Sequence, residues 1–231
     1  MNAEMLAARV AEVREGIERA MQRAGRTGDV TLVAVTKTHP AEIVQAAIAA
    51  GLADVGENRV QEMDDKVAVV GRTAVRWHLI GHLQRNKAGK AVELADLVHS
   101  LDSLRLAEAL SKEAERAGTT VDALVQVNTS GEESKFGLAA DEAVDAVGRM
   151  AELPGLRLAG MMTMAPFTDD HAVIRRTFAA ARRLCEDTAR QVPAFHGSQL
   201  SMGMSNDYEI AVEEGSTLVR VGSTLFGERG R

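Results

Sequence analysis

The 231 residues are 45% hydrophobic and 26% charged, which is ordinary for a globular protein and excludes collagen-like, disordered and disulfide-rich classes. The formal net charge of −6 argues against a general polyanion binder, and the single cysteine, Cys185, excludes an intramolecular disulfide or a zinc-finger cage. No stretch approaches the ~20 apolar residues of a membrane span, and no secretory signal is recognisable. We therefore expect a cytoplasmic protein that binds neither membranes nor nucleic acid.

The N-terminal segment has the periodicity of an amphipathic helix. Apolar residues recur at spacings of three or four: Leu6, Val10, Val13, Ile17 and Met21. Gly25 is suited to end this helix in the left-handed conformation. The segment from Val30 to Lys37 is apolar and rich in β-branched residues, which is typical of a buried parallel strand.

Seven further segments have the pattern of short buried strands: 54–57, 76–81, 97–100, 121–128, 156–164, 199–202 and 218–221. Helical patterns lie between them, for example from Leu104 to Ala114, which Gly118 closes. This alternation predicts a parallel sheet with right-handed crossovers. Eight strands in this length favour a closed (β/α)₈ barrel of the TIM type, with the first helix as an extra element, over an open sheet. No segment resembles a linker, so we expect a single domain over 1–231.

In such a barrel, chemistry takes place at the carboxyl ends of the strands. Thr31, Val33, Val35 and Lys37 share one face of the first strand, so an inward face would place the Lys37 amine in the barrel mouth. Apolar surroundings disfavour a charged amine, and a neutral amine can form a Schiff base with an aldehyde. Lysines are scarce, six against twenty-one arginines. The alternative is a solvated lysine at a strand end.

Two loops have the composition of a phosphate site. In segment 201–207, after the seventh strand, Ser205 or Asn206 could cap the next helix and leave its amides to an anion. After the eighth strand, Gly222 is followed by the hydroxyls of Ser223 and Thr224. Barrels commonly bind phosphate with these two loops. The alternative is a pair of capped turns without a ligand.

Arg220 shares a strand face with Leu218 and Gly222. If this face is the barrel interior, a permanent cation is buried and needs a partner. The alternative is an arginine turned towards the helix layer and paired with an acidic residue: Glu213, Glu214 or Glu228.

Other polar residues are weaker indications of function. His78 and His82 share a strand face, with one deeper than the other, but no third ligand lies nearby, so we expect no metal site. Lys135, in the loop 130–137 after the fifth strand, could meet an anionic ligand or be exposed to solvent. A small basic group has the character of a solvated face rather than a nucleic-acid surface: Arg85, Lys87 and Lys90.

Five motifs occur in order over nearly the whole chain: Val35-Thr36-Lys37, Gly56-Glu57-Asn58, His78-Leu79-Ile80-Gly81 with Leu83-Gln84 and Asn86-Lys87, Ser201-Met202-Gly203-Met204-Ser205, and Val219-Arg220-Val221-Gly222 through Phe226-Gly227. Together they resemble the YggS/PROSC-type pyridoxal 5′-phosphate homeostasis proteins. This resemblance implies the barrel of the alanine racemase N-terminal domain and a role in vitamin B6 homeostasis. It also implies that the cofactor, pyridoxal 5′-phosphate (PLP), is held as an aldimine on the first-strand lysine.

The resemblance assigns roles to individual positions. Lys37 becomes the aldimine lysine, Asn58 lies beside the cofactor ring, and Arg220 faces the pyridine nitrogen. The implied phosphate contacts are Ser205, Gly222 and Ser223, with Thr224 and Ser201 as secondary candidates. Position 223 is serine where threonine is expected in relatives, and either residue supplies a hydroxyl.

An arginine has only donors, so a ring nitrogen facing it stays unprotonated and is a poor electron sink. Alanine racemases resemble this chain only over the barrel, and a second domain supplies their catalytic tyrosine. This chain ends at Arg231, and its one tyrosine, Tyr208, is expected to be a packing residue. We therefore expect a monomeric carrier or buffer of PLP without catalytic residues, whose partners include PLP-dependent apoenzymes.

Three alternatives remain open from the residues alone. The first is a PLP-dependent racemase or decarboxylase acting on a small amino acid. The second is a Schiff-base aldolase that uses Lys37 on a sugar phosphate without a cofactor. The third is a barrel whose main task is to bind another protein.

Overall fold

The computed structural model of this protein describes residues 3–131 and 136–227. Its strands are β1 Thr31–Val35, β2 Asp54–Glu57, β3 Arg76–Leu79, β4 Leu97–Leu101, β5 Val121–Asn128, β6 Leu138–Ala139, β7 Leu156–Met162, β8 Gln199–Met204 and β9 Leu218–Val221. Its helices are α1 Ala3–Arg23, α2 Ala41–Ala49, α3 Val60–Val70, α4 Ala88–Leu94, α5 Leu104–Ala117, α6 Ala143–Ala151, α7 His171–Gln191, α8 Tyr208–Glu213 and α9 Ser223–Phe226. A 3₁₀ turn, Arg85–Lys87, precedes α4.

Eight of these strands are parallel and close into a barrel in the order β1-β2-β3-β4-β5-β7-β8-β9, with β9 paired back to β1. The predicted (β/α)₈ barrel is therefore confirmed, with α1 as the extra helix before the first strand. The short β6 pairs with β5 beside the closed ring. It is absent from the sequence prediction because two residues carry no detectable periodicity.

The strand boundaries differ from prediction where the chain turns out of the barrel. β1 ends at Val35, two residues before Lys37, although the Thr36 N–H still donates to the Gly56 carbonyl at 3.1 Å. β8 runs to Met204, two residues further than predicted. Lys37 therefore lies in the turn that follows the strand, immediately beyond the last ladder hydrogen bond.

The inward and outward faces of the strands pack into separate hydrophobic clusters. The interior cluster comes from strands on opposite sides of the ring, so it fills the barrel: Val33, Leu97, Leu124, Ala159, Met162 and Leu218. The alternate residues of β1 and β9 pack outward against α1, which buries Leu6, Val10 and Val13. In residues 3–131 and 136–227, no helix is both long and apolar enough to cross a membrane.

Because Val33 and Leu218 point inward, residues two or four positions further along the same faces approach the barrel mouth from inside. This is the geometry that the sequence predicts for Lys37 and Arg220. Gly118, in the left-handed conformation at φ 63°, ends α5 as predicted, since a residue without Cβ adopts this conformation without strain.

Candidate functional site

A cavity of about 850 Å³ opens at the carboxyl end of the barrel. Its wall contains most of the residues predicted for the site: Lys37, Asn58, Ser205, Arg220, Gly222 and Ser223. These residues come from four different strand ends, far apart in sequence. The barrel therefore brings a lysine, a buried arginine and the two predicted phosphate loops to one cavity, whereas Ser201 and Thr224 do not line it.

The turn that carries Lys37 has an unusual backbone. Lys37 itself is half-buried, and the next residue, Thr38, has φ 67°. A β-branched residue in the left-handed region is strained, so the surrounding structure must hold it there. The Thr38 N–H donates to the Glu62 carboxylate of α3 at 3.2 Å. This contact fixes the turn from outside the barrel.

A buried ion pair holds the base of the same turn. The Lys66 ammonium donates to the Thr36 carbonyl at 2.8 Å and to the Glu57 carboxylate at 2.5 Å. The Thr36 hydroxyl donates to the same carboxylate oxygen. Burial raises the pKa of Glu57, an effect that Lys66 and Thr36 oppose. Because Thr36 precedes Lys37 and Glu57 precedes Asn58, the pair joins the strand ends that carry two site residues.

Arg220 faces the barrel interior, so this interpretation is confirmed and pairing in the helix layer is wrong. The guanidinium is buried and donates to the Ser201 hydroxyl at 2.6 Å and to the Thr163 carbonyl at 3.1 Å. Burial lowers the pKa of Arg220 to about 10, which still leaves it protonated at neutral pH. The acidic residues Glu213 and Glu214 instead bind arginines of the helix layer. Glu228 lies outside the described residues.

Behind Arg220, a set of polar side chains crosses the barrel interior. The Ser201 hydroxyl lies 2.9 Å from His99 Nδ1, and His99 Nε2 lies 2.9 Å from His78 Nδ1. His78 Nε2 lies 2.8 Å from the Asp54 carboxylate at the opposite end of the barrel. We call Arg220, Ser201, His99, His78 and Asp54 the interior network. Ser201 is thus placed beneath Arg220 rather than on the cavity wall.

The two histidines of the interior network are fully buried. Burial lowers the pKa of His78, and the Asp54 carboxylate opposes this shift. Burial also lowers the pKa of His99 well below its ordinary value, and His78 and Arg220 add to that effect. His78 is the deeper histidine of the predicted pair, whereas His82 is exposed and stacks on Phe136 with ring centroids 4.6 Å apart.

The two predicted phosphate loops are joined by one hydroxyl. Ser205 Oγ accepts hydrogen bonds from the backbone N–H groups of Gly222 at 3.3 Å and Thr224 at 3.4 Å. A Cβ on Gly222 would lie 3.2 Å from the Val35 carbonyl, so the close approach of this loop to β1 favours glycine.

The N-cap of α8 is Asp207, not Ser205 or Asn206 as predicted, and the Asp207 carboxylate accepts from the Met204 N–H at 2.6 Å.

Tyr208 and Cys185 lie away from the cavity. Tyr208 packs against α1, where a Cβ on Gly16 would collide with its hydroxyl, so the packing role is confirmed. Cys185 is buried in the core, and burial raises its pKa to about 12. Lys135 lies outside the described residues.

Sequence reasoning misses His99 and the Glu57–Lys66 pair. A signal was available for each, because a histidine within the apolar strand β4 and an acidic residue at the end of β2 are buried groups that need partners. The sequence does not show which partner each one takes, since His99 and Ser201 are 102 residues apart.

Comparison with known proteins supports the family that the sequence motifs resemble. The family model described as alanine racemase, N-terminal domain, matches residues 9–230. The chain is 38% identical over 224 residues to a pyridoxal phosphate homeostasis protein of Aquifex aeolicus, covering 96% of this chain and 97% of the relative. It is 39% identical over 229 residues to that of Escherichia coli, covering 97% of each. The chain belongs to the family of pyridoxal phosphate homeostasis proteins.

Solved structures agree with this assignment. PipY of Synechococcus elongatus, solved with PLP bound, has a TM-score of 0.86 at 37% identity, with 96% of this chain and 100% of PipY covered. A protein from Bifidobacterium adolescentis has a TM-score of 0.90 at 38% identity, with 97% and 95% covered. The alanine racemase of Streptomyces coelicolor shares the fold at 19% identity and a TM-score of 0.76, and this chain spans 59% of it.

Proposed function

We propose that this protein binds PLP in the barrel mouth and carries or buffers it, with the cofactor held on Lys37. The observation that carries the proposal is the single cavity that joins the Lys37 amine, the buried Arg220 cation and the Ser205-bridged loops. The relatives named as pyridoxal phosphate homeostasis proteins and the PLP-bound structure of PipY support it.

The donors of the cavity suit the three chemical parts of PLP. Backbone N–H groups and hydroxyls of the loops suit a phosphate: those of Ser205, Gly222 and Ser223 on the cavity wall, with Thr224, which does not line the cavity, as a secondary candidate. Asn58 would lie beside the ring, and Arg220 would donate to the ring nitrogen. Lys37 would hold the cofactor through its amine, and PLP would supply the aldehyde for a Schiff base, with water as the leaving group. Ser201 would act through Arg220, because it lies beneath the guanidinium.

A carrier is favoured over an efficient enzyme because Arg220 cannot accept a proton from the ring nitrogen or give one up at neutral pH. A ring nitrogen without a proton withdraws electrons weakly, which disfavours carbanion chemistry. The single tyrosine of the sequence, Tyr208, packs against α1 and is not among the cavity-lining residues.

The second candidate function is amino-acid racemisation or decarboxylation. The observation that favours it is the presence of three histidines on the cavity wall, His39, His82 and His171, since imidazoles can transfer protons near neutral pH. Exchange of the α-proton of small amino acids in deuterated water separates the two functions. Turnover at enzymatic rates would favour this candidate, and exchange no faster than with free PLP would favour the carrier.

The attachment of PLP is tested by reduction. The protein loaded with PLP is expected to absorb visible light, and borohydride followed by peptide mass mapping is expected to place the label on Lys37. Lys37→Ala should abolish the reducible link, whereas Lys112→Ala, on an exposed face of α5, should leave it intact. A Lys37→Ala protein that is labelled as fully as the wild type would refute the assignment.

Four further features are proposals that rest on the sequence analysis. We propose that the whole chain, 1–231, forms one domain, that it is a monomer, that it acts in the cytoplasm, and that PLP-dependent apoenzymes receive its cofactor. Limited proteolysis and sedimentation test the first two, and cell fractionation tests the third. Activation of an apoenzyme, mixed with the loaded protein or separated from it by a dialysis membrane, distinguishes direct transfer from release into solution.

A further inference from the structure

The interior network crosses the barrel between β9 and β2. Arg220 lies on β9, Ser201 on β8, His99 on β4, His78 on β3 and Asp54 at the start of β2. Since β8 and β4 are not neighbours in the ring, the contact between Ser201 and His99 passes through the interior. His78, His99 and Ser201 are fully buried, so their hydrogen bonds cannot be replaced by bulk water.

The chemistry of the end groups determines the direction of every hydrogen bond. A carboxylate only accepts, so the proton between Asp54 and His78 belongs to His78 Nε2. In a neutral imidazole the other nitrogen is then an acceptor, so His78 Nδ1 accepts from His99 Nε2. The same reasoning makes His99 Nδ1 an acceptor for the Ser201 hydroxyl proton. Arg220 has only donors, and its Nη1 donates to a lone pair of Ser201 Oγ.

All four hydrogen bonds therefore point from Arg220 towards Asp54. A further proton on the histidine pair would break this order, because His99 and Arg220 would then both donate to Ser201, whose own proton would lose its acceptor. It would also add a charge beside the buried guanidinium. Burial, which lowers the pKa of both histidines, favours the neutral arrangement.

We propose that His78 and His99 are positioning residues that act through Ser201 to hold the Arg220 guanidinium at the cavity wall. Ser201 and Thr163 accept from two of the five guanidinium N–H donors. The Arg220 side chain also lines the cavity. The hydrogen bond from His99 to His78 keeps the Ser201 lone pairs turned towards Arg220. This inference rests on the proposed function, because the ring nitrogen of PLP is the group that Arg220 would meet.

The proton arrangement can be measured without PLP. Long-range ¹H–¹⁵N correlation spectra of the cofactor-free protein report which ring nitrogens carry a proton. We expect both His78 and His99 to be neutral and protonated at Nε2. A proton at Nδ1 of either ring, or on both nitrogens of one ring, would overturn the proposal.

The positioning role is tested with serine variants and a matched control. Ser201→Ala removes the link, and Ser201→Thr retains a hydroxyl. Ser216→Ala is the control, because Ser216 is also fully buried beside β8 and β9 but bonds only backbone carbonyls outside the interior network. We expect Ser201→Ala to change the His99 nitrogen shifts, to shift the visible absorption of bound PLP, and to weaken PLP binding about tenfold.

Ser201→Thr should restore these properties at least in part, and Ser216→Ala should leave all three as in the wild type even if it lowers stability. Unchanged PLP affinity and absorption in a folded Ser201→Ala protein would overturn the positioning role, as would an equal effect of Ser216→Ala. A wild-type protein that takes up no PLP on Lys37 would refute the proposed function and the positioning role with it. The histidine spectra would still decide the proton arrangement separately.

Discussion

Replacement of Lys66 by methionine tests how much the buried ion pair beneath the Lys37 turn contributes to the stability of the protein. Lys66→Met retains an apolar side chain of similar length and removes the ammonium group that binds Glu57 and the Thr36 carbonyl. The side chains of Lys66 and Glu57 are 6% and 0% exposed, so water cannot replace the lost partner. Breaking a buried pair costs about 3–5 kcal/mol, because it leaves one charge uncompensated.

We expect the lower end of this range, about 3 kcal/mol, because the Thr36 hydroxyl still donates to Glu57. The loss should also depend on pH. Without Lys66, the pKa of Glu57 in the folded state lies still further above its unfolded value, so the folded state binds a proton more readily than the unfolded state. The stability loss caused by Lys66→Met is therefore greatest at pH values above the pKa that Glu57 has in the folded state. It shrinks as the pH falls towards the pKa that Glu57 has in the unfolded state.

The assay is urea unfolding of both proteins at several pH values between about 5 and 8, where the difference in unfolding free energy should be largest at the highest pH. Lys90→Met is the control, because Lys90 binds Asp64 and Glu93 on an exposed surface and should change stability little. Adding Glu57→Gln to Lys66→Met should recover part of the loss, since the uncompensated charge is removed. A loss that is independent of pH, or no larger than that of Lys90→Met, would refute the reasoning.

Three further predictions concern the loops and the core. Gly222→Ala places a Cβ 3.2 Å from the Val35 carbonyl, so it should lower the free energy of urea unfolding by about 1–3 kcal/mol. It should also weaken PLP retention in equilibrium dialysis. A variant with the stability and the PLP retention of the wild type would contradict the close approach of this loop to β1. Thr38→Gly relieves the strain at φ 67° and should raise the free energy of unfolding by about 0.5–1 kcal/mol, whereas a clear loss would show that Thr38 is not strained. Cys185, with its pKa raised to about 12 by burial, should react with a thiol reagent only as fast as the protein unfolds, and prompt labelling of the native protein would exclude its place in the core.

The architecture could be read from the sequence because it depends on local patterns. Each barrel strand is a short apolar segment between helical periodicities, and this pattern persists whatever the strand contacts. The inward faces of β1 and β9 follow from the two-residue period once the barrel is closed, which places Lys37 and Arg220 in the same mouth.

The details at element ends were less predictable, because the chain leaves regular geometry there. The N-cap of α8 is Asp207 rather than Ser205, whose hydroxyl instead accepts from the backbone of the next loop. Both residues are good helix caps by type, so composition alone does not choose between them. The choice depends on how closely the β9–α9 loop approaches Ser205.

The sequence by itself therefore determined the barrel, the strand faces that Lys37 and Arg220 share with apolar residues, and the glycine and hydroxyl loops after the seventh and eighth strands. The tertiary structure decided that both faces point into the barrel and that both loops meet at one cavity. Only the tertiary structure decided how the buried polar groups pair. His99 meets Ser201 across the barrel and Glu57 meets Lys66 beneath the Lys37 turn, in contacts that depend on strand stagger and helix packing. The physical reason is that periodicity specifies which side of a strand a residue occupies, whereas a hydrogen bond requires two distant side chains to lie within about 3 Å of each other.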